Sequence, residues 1–216
     1  MPDAPKSVPN GLLVIFEGID GVGKTTQLGL AQKALQEEGW PVHTSRNLGG
    51  TPIGEALREV IKSPLPRPNT TNLYISVAIQ EALIETMQAE RAKNQIILMD
   101  RGPISLAAYE VYGEDLEESL GWHYVDRGME RLKPDLTILY EANVDTAISQ
   151  ARQKSGEADY FESKPREFFE RVAKGYAAAA KRYQTTVATV DANQSIEVVH
   201  EQTMRLIQQA LAATHA

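Results

Sequence analysis

The 216-residue chain contains no cysteine, which excludes disulfides and cysteine-ligated zinc. Histidine is scarce, and His43, His123, His200 and His215 share no metal-ligand spacing, so solvated or core roles suit them better. No apolar run reaches membrane length and no signal-like segment opens the chain, so the expected location is cytoplasmic, with no membrane partner. An excess of basic residues is also missing. The net charge of −7 argues against a general nucleic-acid surface, so an anionic ligand has to be met by a local cluster of cations.

What is present is ordinary for a globular protein: 42% hydrophobic and 24% charged residues, in a length that suits one domain. Residues 1–10 hold three prolines and no periodicity, and read as a flexible leader ahead of a single domain at 11–216. The organising stretch is Gly18-Ile19-Asp20-Gly21-Val22-Gly23-Lys24-Thr25, between the apolar run 12–16 and a segment whose Leu28, Ala31, Ala34 and Leu35 recur at helical spacing. Glycines at 18, 21 and 23 free the backbone to turn successive N–H groups inward on phosphate oxygens, at the positive end of a helix. Lys24 then reaches the β and γ phosphates, and the Thr25 hydroxyl ligates Mg²⁺. The plainer reading, a glycine turn before an ordinary lysine, requires all four fixed positions to match by chance, an event on the order of one per cent in such a chain.

Further strands are expected at 41–44, 96–100, 134–140 and 186–190. Helices are expected at 54–62, 70–93, 104–112, 117–131, from 144 to about 152, at 164–183, and from 195 to about 212. Short buried strands alternating with helices give an α/β fold, a five-stranded parallel sheet covered on both faces in three layers. Asp100 ends an apolar strand where a second Mg²⁺ ligand of a phosphate-loop protein would stand; alone, it could equally cap the next helix.

The string from Phe16 to Gln27 resembles the opening of the thymidylate kinases, which are P-loop nucleoside monophosphate kinases. The likeness continues through Thr44-Ser45-Arg46-Asn47-Leu48-Gly49-Gly50-Thr51, Asp100-Arg101 with Ser105 and Ala108-Tyr109, residues 133–139, Asp159-Tyr160-Phe161-Glu162, and Val190-Asp191-Ala192. It implies a P-loop NTPase fold with ATP and Mg²⁺ as cofactors, transfer of the γ-phosphoryl group to dTMP, and a homodimer to which 70–93 contributes. By resemblance, Gly18, Gly21, Val22, Gly23, Lys24, Thr25, Thr26, Asp191 and Ala192 hold the donor nucleotide, while Thr25 and Asp100 hold Mg²⁺. Asp20 meets the acceptor's 3′-hydroxyl, Arg101 and Arg46 neutralise phosphates, Arg58 lies near the acceptor, and Tyr109 crowds the 2′ position. Tyr74, Ser105, Leu106 and Glu110 complete the acceptor site. A lid at about 152–163 brings Arg152 and Lys154, with Arg171 as a further candidate, over the donor phosphates.

The chain departs from the family pattern where the base is read. The arginine of the long helix falls on Ala78 or Ile79, a small polar residue becomes Leu106, a glutamine becomes Glu110, the aromatic after Asp-Arg is Gly102, and Tyr74 or Ile75 replaces the stacking phenylalanine. Glu-Pro after Arg46 is Asn47-Leu48, and the lid's Asp-Arg is Asp159-Tyr160. Three readings follow: a dTMP kinase, a kinase of another, modified deoxynucleoside monophosphate, and a nucleotide-binding protein with little kinase activity.

Overall fold

The computed structural model describes residues 6–154, 160–161 and 163–214. In chain order the elements are β1 (Leu12–Glu17), α1 (Lys24–Glu37), β2 (Val42–Arg46), α2 (Pro52–Lys62), α3 (Asn69–Arg91), β3 (Ile96–Asp100), α4 (Pro103–Leu106), a π-helical segment (Ala107–Gly113), α5 (Glu118–Leu132), β4 (Leu136–Glu141), α6 (Val144–Lys154), α7 (Arg166–Arg182), β5 (Val187–Asp191) and α8 (Ile196–Thr214). All strand pairs are parallel, in the order β2-β3-β1-β4-β5. The five-stranded sheet is the one expected.

Because strand side chains alternate between faces, the wholly buried β1 supplies two cores. Leu12, Val14 and Phe16 pack in the cluster that holds Leu28, Ala31 and Leu35 of α1 and Ile207 and Leu211 of α8. Leu13 and Ile15 join Ile97 and Met99 of β3 and Leu83, Ile84 and Met87 of α3. Helices therefore cover both faces, and no helix of the described residues is long and apolar enough to cross a membrane.

The parallel register decides where function can lie. Phe16 of β1 pairs with Asp100 of β3, and Arg46 of β2 with the same Asp100, so the loops after three neighbouring strands open side by side at the carboxyl edge of the sheet.

One stretch departs from regular helix. The expected 104–112 helix makes only four α-helical residues before seven of π-helix, whose wider turn reaches toward α7. There Gly175 lets the two segments approach: a Cβ on it would stand 2.7 Å from Ala108 Cα and 3.0 Å from Tyr112 Cβ. Gly29 of α1 is exposed, with nothing within 4 Å of its would-be Cβ.

The two glycines give opposite predictions. Gly29→Ala removes backbone entropy from the unfolded chain and stabilises by up to about 1 kcal/mol. Gly175→Ala has the same gain but overpacks a backbone contact at about 1–3 kcal/mol, so it destabilises on balance. Urea unfolding of the two variants should show midpoints shifted in opposite directions.

Candidate active site

The phosphate loop owes its shape to glycines that nothing else can replace. Gly21 has φ +88°, and a Cβ there would meet Ala147 O of α6 at 1.9 Å. Gly23, at φ +92°, precedes the first residue of α1 and has open space where its side chain would be, leaving the helix N-terminus uncovered. Lys24 Nζ donates to Ile19 O within the loop at 2.8 Å. Burial, reinforced by the charge of Arg101, lowers the Lys24 ammonium to about 8 against the opposing pull of Asp20, Asp100 and Glu17. Arriving phosphate oxygens would favour its charged form further.

Thr25 Oγ1 donates to Asp100 Oδ2 at 3.1 Å, and Asp100 Oδ1 is buried with no partner among the described residues. An all-oxygen pair with one unused acceptor beside a phosphate loop suits Mg²⁺, which takes few protein ligands and completes its shell with water and phosphate. No group of three or more His, Asp or Glu among the described residues offers an all-protein metal cage.

Arg101 follows Asp100 at φ +65°, a left-handed conformation that is unfavourable outside glycine. The turn sends its guanidinium back under the phosphate loop. Nη1 donates to Gly18 O, Ser105 Oγ and Tyr176 OH at 3.1, 3.3 and 2.7 Å, and Nη2 to Asp20 Oδ1 and Tyr109 OH at 2.5 and 3.0 Å. Tyr109 in turn donates to Asp20 Oδ2 at 2.7 Å. Beneath this lies Glu17, wholly buried, which accepts from Gly102 N, Ser105 Oγ and Tyr176 OH at 2.7, 2.6 and 3.1 Å. Burial holds the Glu17 carboxyl above the ordinary carboxylate range although Arg101 opposes it. For Asp20 the balance reverses: burial raises it, but the charges of Arg101 and Lys24 and the Tyr109 hydroxyl carry it well below that range.

Two cavities meet at this cluster. A larger one of about 670 Å³ is lined by Gly21, Lys24, Thr25, Arg46 and Asp100, and a smaller one of about 150 Å³ by Ser76, Gln80, Leu106, Glu110 and Phe161. Asp20, Asn47, Arg58 and Arg101 line both. Ser105 and Tyr109 stand in the wall of the smaller.

Not every expected residue lies there. Tyr74 is 54% exposed, edge-on to Tyr124 and outside both cavities, while Ile75 packs against the core. On α3 the buried polar residues are Asn72, Ser76 and Gln80, four apart; Tyr74 sits about 200° round the helix from Asn72. That polar stripe in an apolar face was the readable signal for Ser76 and Gln80. Arg46 lines the larger cavity but is held by Glu55 of α2, at 3.2 Å to Nε and 2.6 Å to Nη2. Arg58 Nη1 donates to Leu48 O.

Arg152 lies exposed in a separate surface depression with Asp145 and Arg166, and Arg171 binds Tyr112 O and Gly113 O instead of facing the donor side. Asp191 closes a turn through Asn193 and Gln194, and neither it nor Ala192 lines either of these two cavities; nor do Gly18, buried Val22 and half-buried Thr26. Residues 155–159 and 162 of the expected lid, and the Lys154 side chain, lie outside what the structure describes, as do residues 1–5 of the expected leader. Glu17 and Tyr176 escaped sequence reading because each is one polar residue in an apolar segment, given meaning only by the fold.

Comparison with known proteins fits this geometry. The family model described as thymidylate kinase matches residues 16–203. A protein of Alkalilimnicola ehrlichii named thymidylate kinase is 32% identical over 206 residues, 94% of this chain and 93% of its own. Another of that name, from Cupriavidus pinatubonensis, is 33% identical over 199 residues, 91% of this chain and 98% of its own. The crystal structure of thymidylate kinase from Ehrlichia chaffeensis superposes with a TM-score of 0.72 at 25% identity, covering 92% of this chain and 98% of that one.

The Asp20–Arg101 pair sets an acid limb on stability. Because the folded-state carboxylate titrates below its unfolded value of about 3.9, its contribution is fully present above that pH and is lost as pH falls further. Asp20→Asn leaves Arg101 without its counter-charge and should lower unfolding free energy at neutral pH by about 2 kcal/mol or more. The difference from the unaltered protein, measured by urea unfolding, should shrink as pH drops below about 4.

Proposed function

This chain belongs to the thymidylate kinase family, and we propose that it transfers the γ-phosphoryl group of ATP to dTMP, giving ADP and dTDP. The observation that carries this reading is the meeting of the two cavities at Asp20 and Arg101: the phosphate loop opens into one, and the other is a smaller chamber of mixed polar and apolar lining. A donor phosphate chain in the first and an acceptor nucleotide in the second would bring their phosphates together at that junction.

Transfer forms a bond from an acceptor phosphate oxygen to the γ-phosphorus and breaks the bond to the oxygen bridging β and γ. The attacking oxygen is already ionised, so no general base is required. What the residues contribute is position and charge. Lys24 and the loop amides hold the donor chain, while Arg58 and Arg101 present positive charge where the two phosphates approach. Asp20 and Tyr109 form a rigid hydrogen-bonded wall facing the acceptor sugar. Mg²⁺, held through Thr25 and Asp100, would neutralise charge on the β and γ oxygens. Ala151 borders the larger cavity, so the end of α6 flanks the donor; Arg152 and Lys154, which follow it in the chain, enter this reading as candidates for the donor phosphates.

A second reading, a kinase of a deoxynucleotide with an amino-bearing base, draws on Glu110 in the lining of the acceptor chamber. Assembly as a homodimer also belongs to the proposal. The exposed apolar side chains Ile53, Val60, Leu65 and Tyr74, on α2, α3 and the turn between them, support a contact there.

A coupled assay of ADP release with Mg²⁺, ATP and a panel of deoxy- and ribonucleoside monophosphates tests the reading. dTMP should show the highest kcat/KM, and Lys24→Ala should lower kcat by roughly 100- to 1,000-fold. Preference for another monophosphate, or unchanged turnover in Lys24→Ala, would overturn it.

A further inference from the structure

Two residues that line the acceptor chamber, Gln80 and Glu110, each carry a buried side-chain oxygen with no partner among the described residues. The chamber's volume of about 150 Å³ is of the size that admits a single six-membered ring. Leu106 and Phe161 supply apolar wall, Asp20 and Arg101 mark one end, and Ser76, Gln80 and Glu110 also line it. Glu110 and Gln80 are each only 2% exposed. Glu110 Oε1 accepts from Ser76 Oγ at a long 3.4 Å; Glu110 Oε2 and Gln80 Oε1 are buried without a partner among the described residues. A buried oxygen of this kind is unfavourable unless a hydrogen-bond donor meets it. Two lining residues of a ring-sized chamber that each carry one make it a candidate recognition site.

The charges around Glu110 determine its protonation. On its own segment the next turn brings Glu114, a like charge, which is ion-paired with Lys164 at 2.8 Å. Arg67, ahead of α3, is committed to Asn72 and to the carbonyls of Ile61, Ser63 and Leu65. α2 brings Arg58 and Lys62 to the chamber wall, and Arg101 stands beside Asp20. From α7, Arg171 is bound to Tyr112 O and Gly113 O, and from α5 the neighbours of the segment are the uncharged Gly121 and Trp122. Arg67 and Arg171 are thus met by neutral oxygens, and Lys164 by the Glu114 carboxylate.

We propose that Glu110 reads the acceptor base as a neutral carboxylic acid, its hydroxyl donating to a ring carbonyl while Gln80 Oε1 accepts the adjacent ring N–H. The proposal rests on the kinase reading above and deepens it by naming how the base is selected. A neutral carboxyl offers one donor and one acceptor, the same complement as a carboxamide, so it serves where this family carries glutamine. An ionised carboxylate only accepts: it would repel the carbonyl of thymine and favour an exocyclic amino group instead. Burial, with the charge of Glu114, pushes the Glu110 carboxyl up to about 8 against the opposing pull of the Ser76 hydroxyl, Arg67 and Lys164. Thymine presents a carbonyl next to a ring N–H, the pattern that Glu110 and Gln80 together complement.

The test is the ratio of kcat/KM for dTMP to kcat/KM for dCMP, measured between about pH 6.5 and pH 9 for the unaltered enzyme and for Glu110→Gln. Taking the ratio cancels titrations that affect phosphoryl transfer alone. In the unaltered enzyme the ratio should favour dTMP at low pH and fall roughly tenfold between about pH 7 and pH 9, as the acid ionises. In Glu110→Gln it should not change with pH. A ratio as flat in the unaltered enzyme as in the variant, or a preference for dCMP at the lowest pH, would overturn the proposal while leaving the kinase activity standing. Absence of turnover with every monophosphate would instead overturn the kinase reading, and this inference with it. Should Glu110→Gln fail to fold, the pH dependence of the unaltered enzyme alone decides.

Discussion

The Arg101 guanidinium is the interaction on which the rest of the site depends. Its side chain is only 14% exposed, and it is held by acceptors from the phosphate loop, the π-helical segment, α4 and α7. A cation placed so deep is tolerable only when its charge and its N–H groups are all met, and removing one partner of such a pair is unfavourable by several kcal/mol. The demand propagates outward. Asp20 must be ionised, Glu17 must sit below to bind Ser105 and Tyr176, and Arg101 itself must turn through a left-handed backbone to reach them. The result is a pre-formed cationic floor beneath the junction of the two cavities, fixed before any nucleotide arrives. Pre-organisation of this kind is what phosphoryl transfer asks of a protein, since the developing charge on the phosphoryl oxygens must be met without further rearrangement.

The sequence made most of this scaffold legible. An apolar strand, a glycine-rich loop and an amphipathic helix can be recognised from local spacing because each obeys a short-range rule, and the Asp100 strand end has meaning once a phosphate loop precedes it. What was not legible depends on contacts far apart in the chain. The π-helical segment has no periodic signature of its own; it exists because Gly175 admits α7 so closely to Ala108 that the wider turn can pack. Tyr74 was expected in the acceptor site by resemblance alone, and apolar spacing over α3 does not say which flank of the helix faces the cavity. The buried Asn72, Ser76 and Gln80 stripe, polar residues four apart on an otherwise apolar face, carries that information. Arg152 and Arg171 were expected over the donor because the lid needs cations, yet Arg171 is used to cap carbonyls of the π-helical segment.

The loop after β2 shows how a lost motif is compensated in space. Family members carry Glu-Pro where this chain has Asn47-Leu48, so both a carboxylate and a conformational constraint are missing from the local sequence. The carboxylate returns from α2: Glu55 takes Arg46 in a two-point contact and also accepts Gly50 N at 2.9 Å, which places Arg46 as firmly as a neighbour in sequence would. The constraint returns as a set of hydrogen bonds. Leu48 is held at φ +56°, a conformation a leucine does not choose, by Arg58 on its carbonyl and the Asn47 side chain on its amide. Asn47 is itself tied to Gly102 O and, through its backbone, to Asp100 O.

These ties join the loop of β2 to the strand that carries Asp100 and Arg101. Strain at Leu48 and at Arg101 is therefore shared across one hydrogen-bonded unit, and neither turn can relax without disturbing the other. It follows that the residues expected to meet the donor, the metal and the acceptor are not independent positions decorating a sheet edge. They are coupled through two left-handed turns and one buried guanidinium. A substitution at the Asn47-Leu48 pair would act on phosphate binding by moving Arg101 and Asp100, although neither Asn47 nor Leu48 carries a charge.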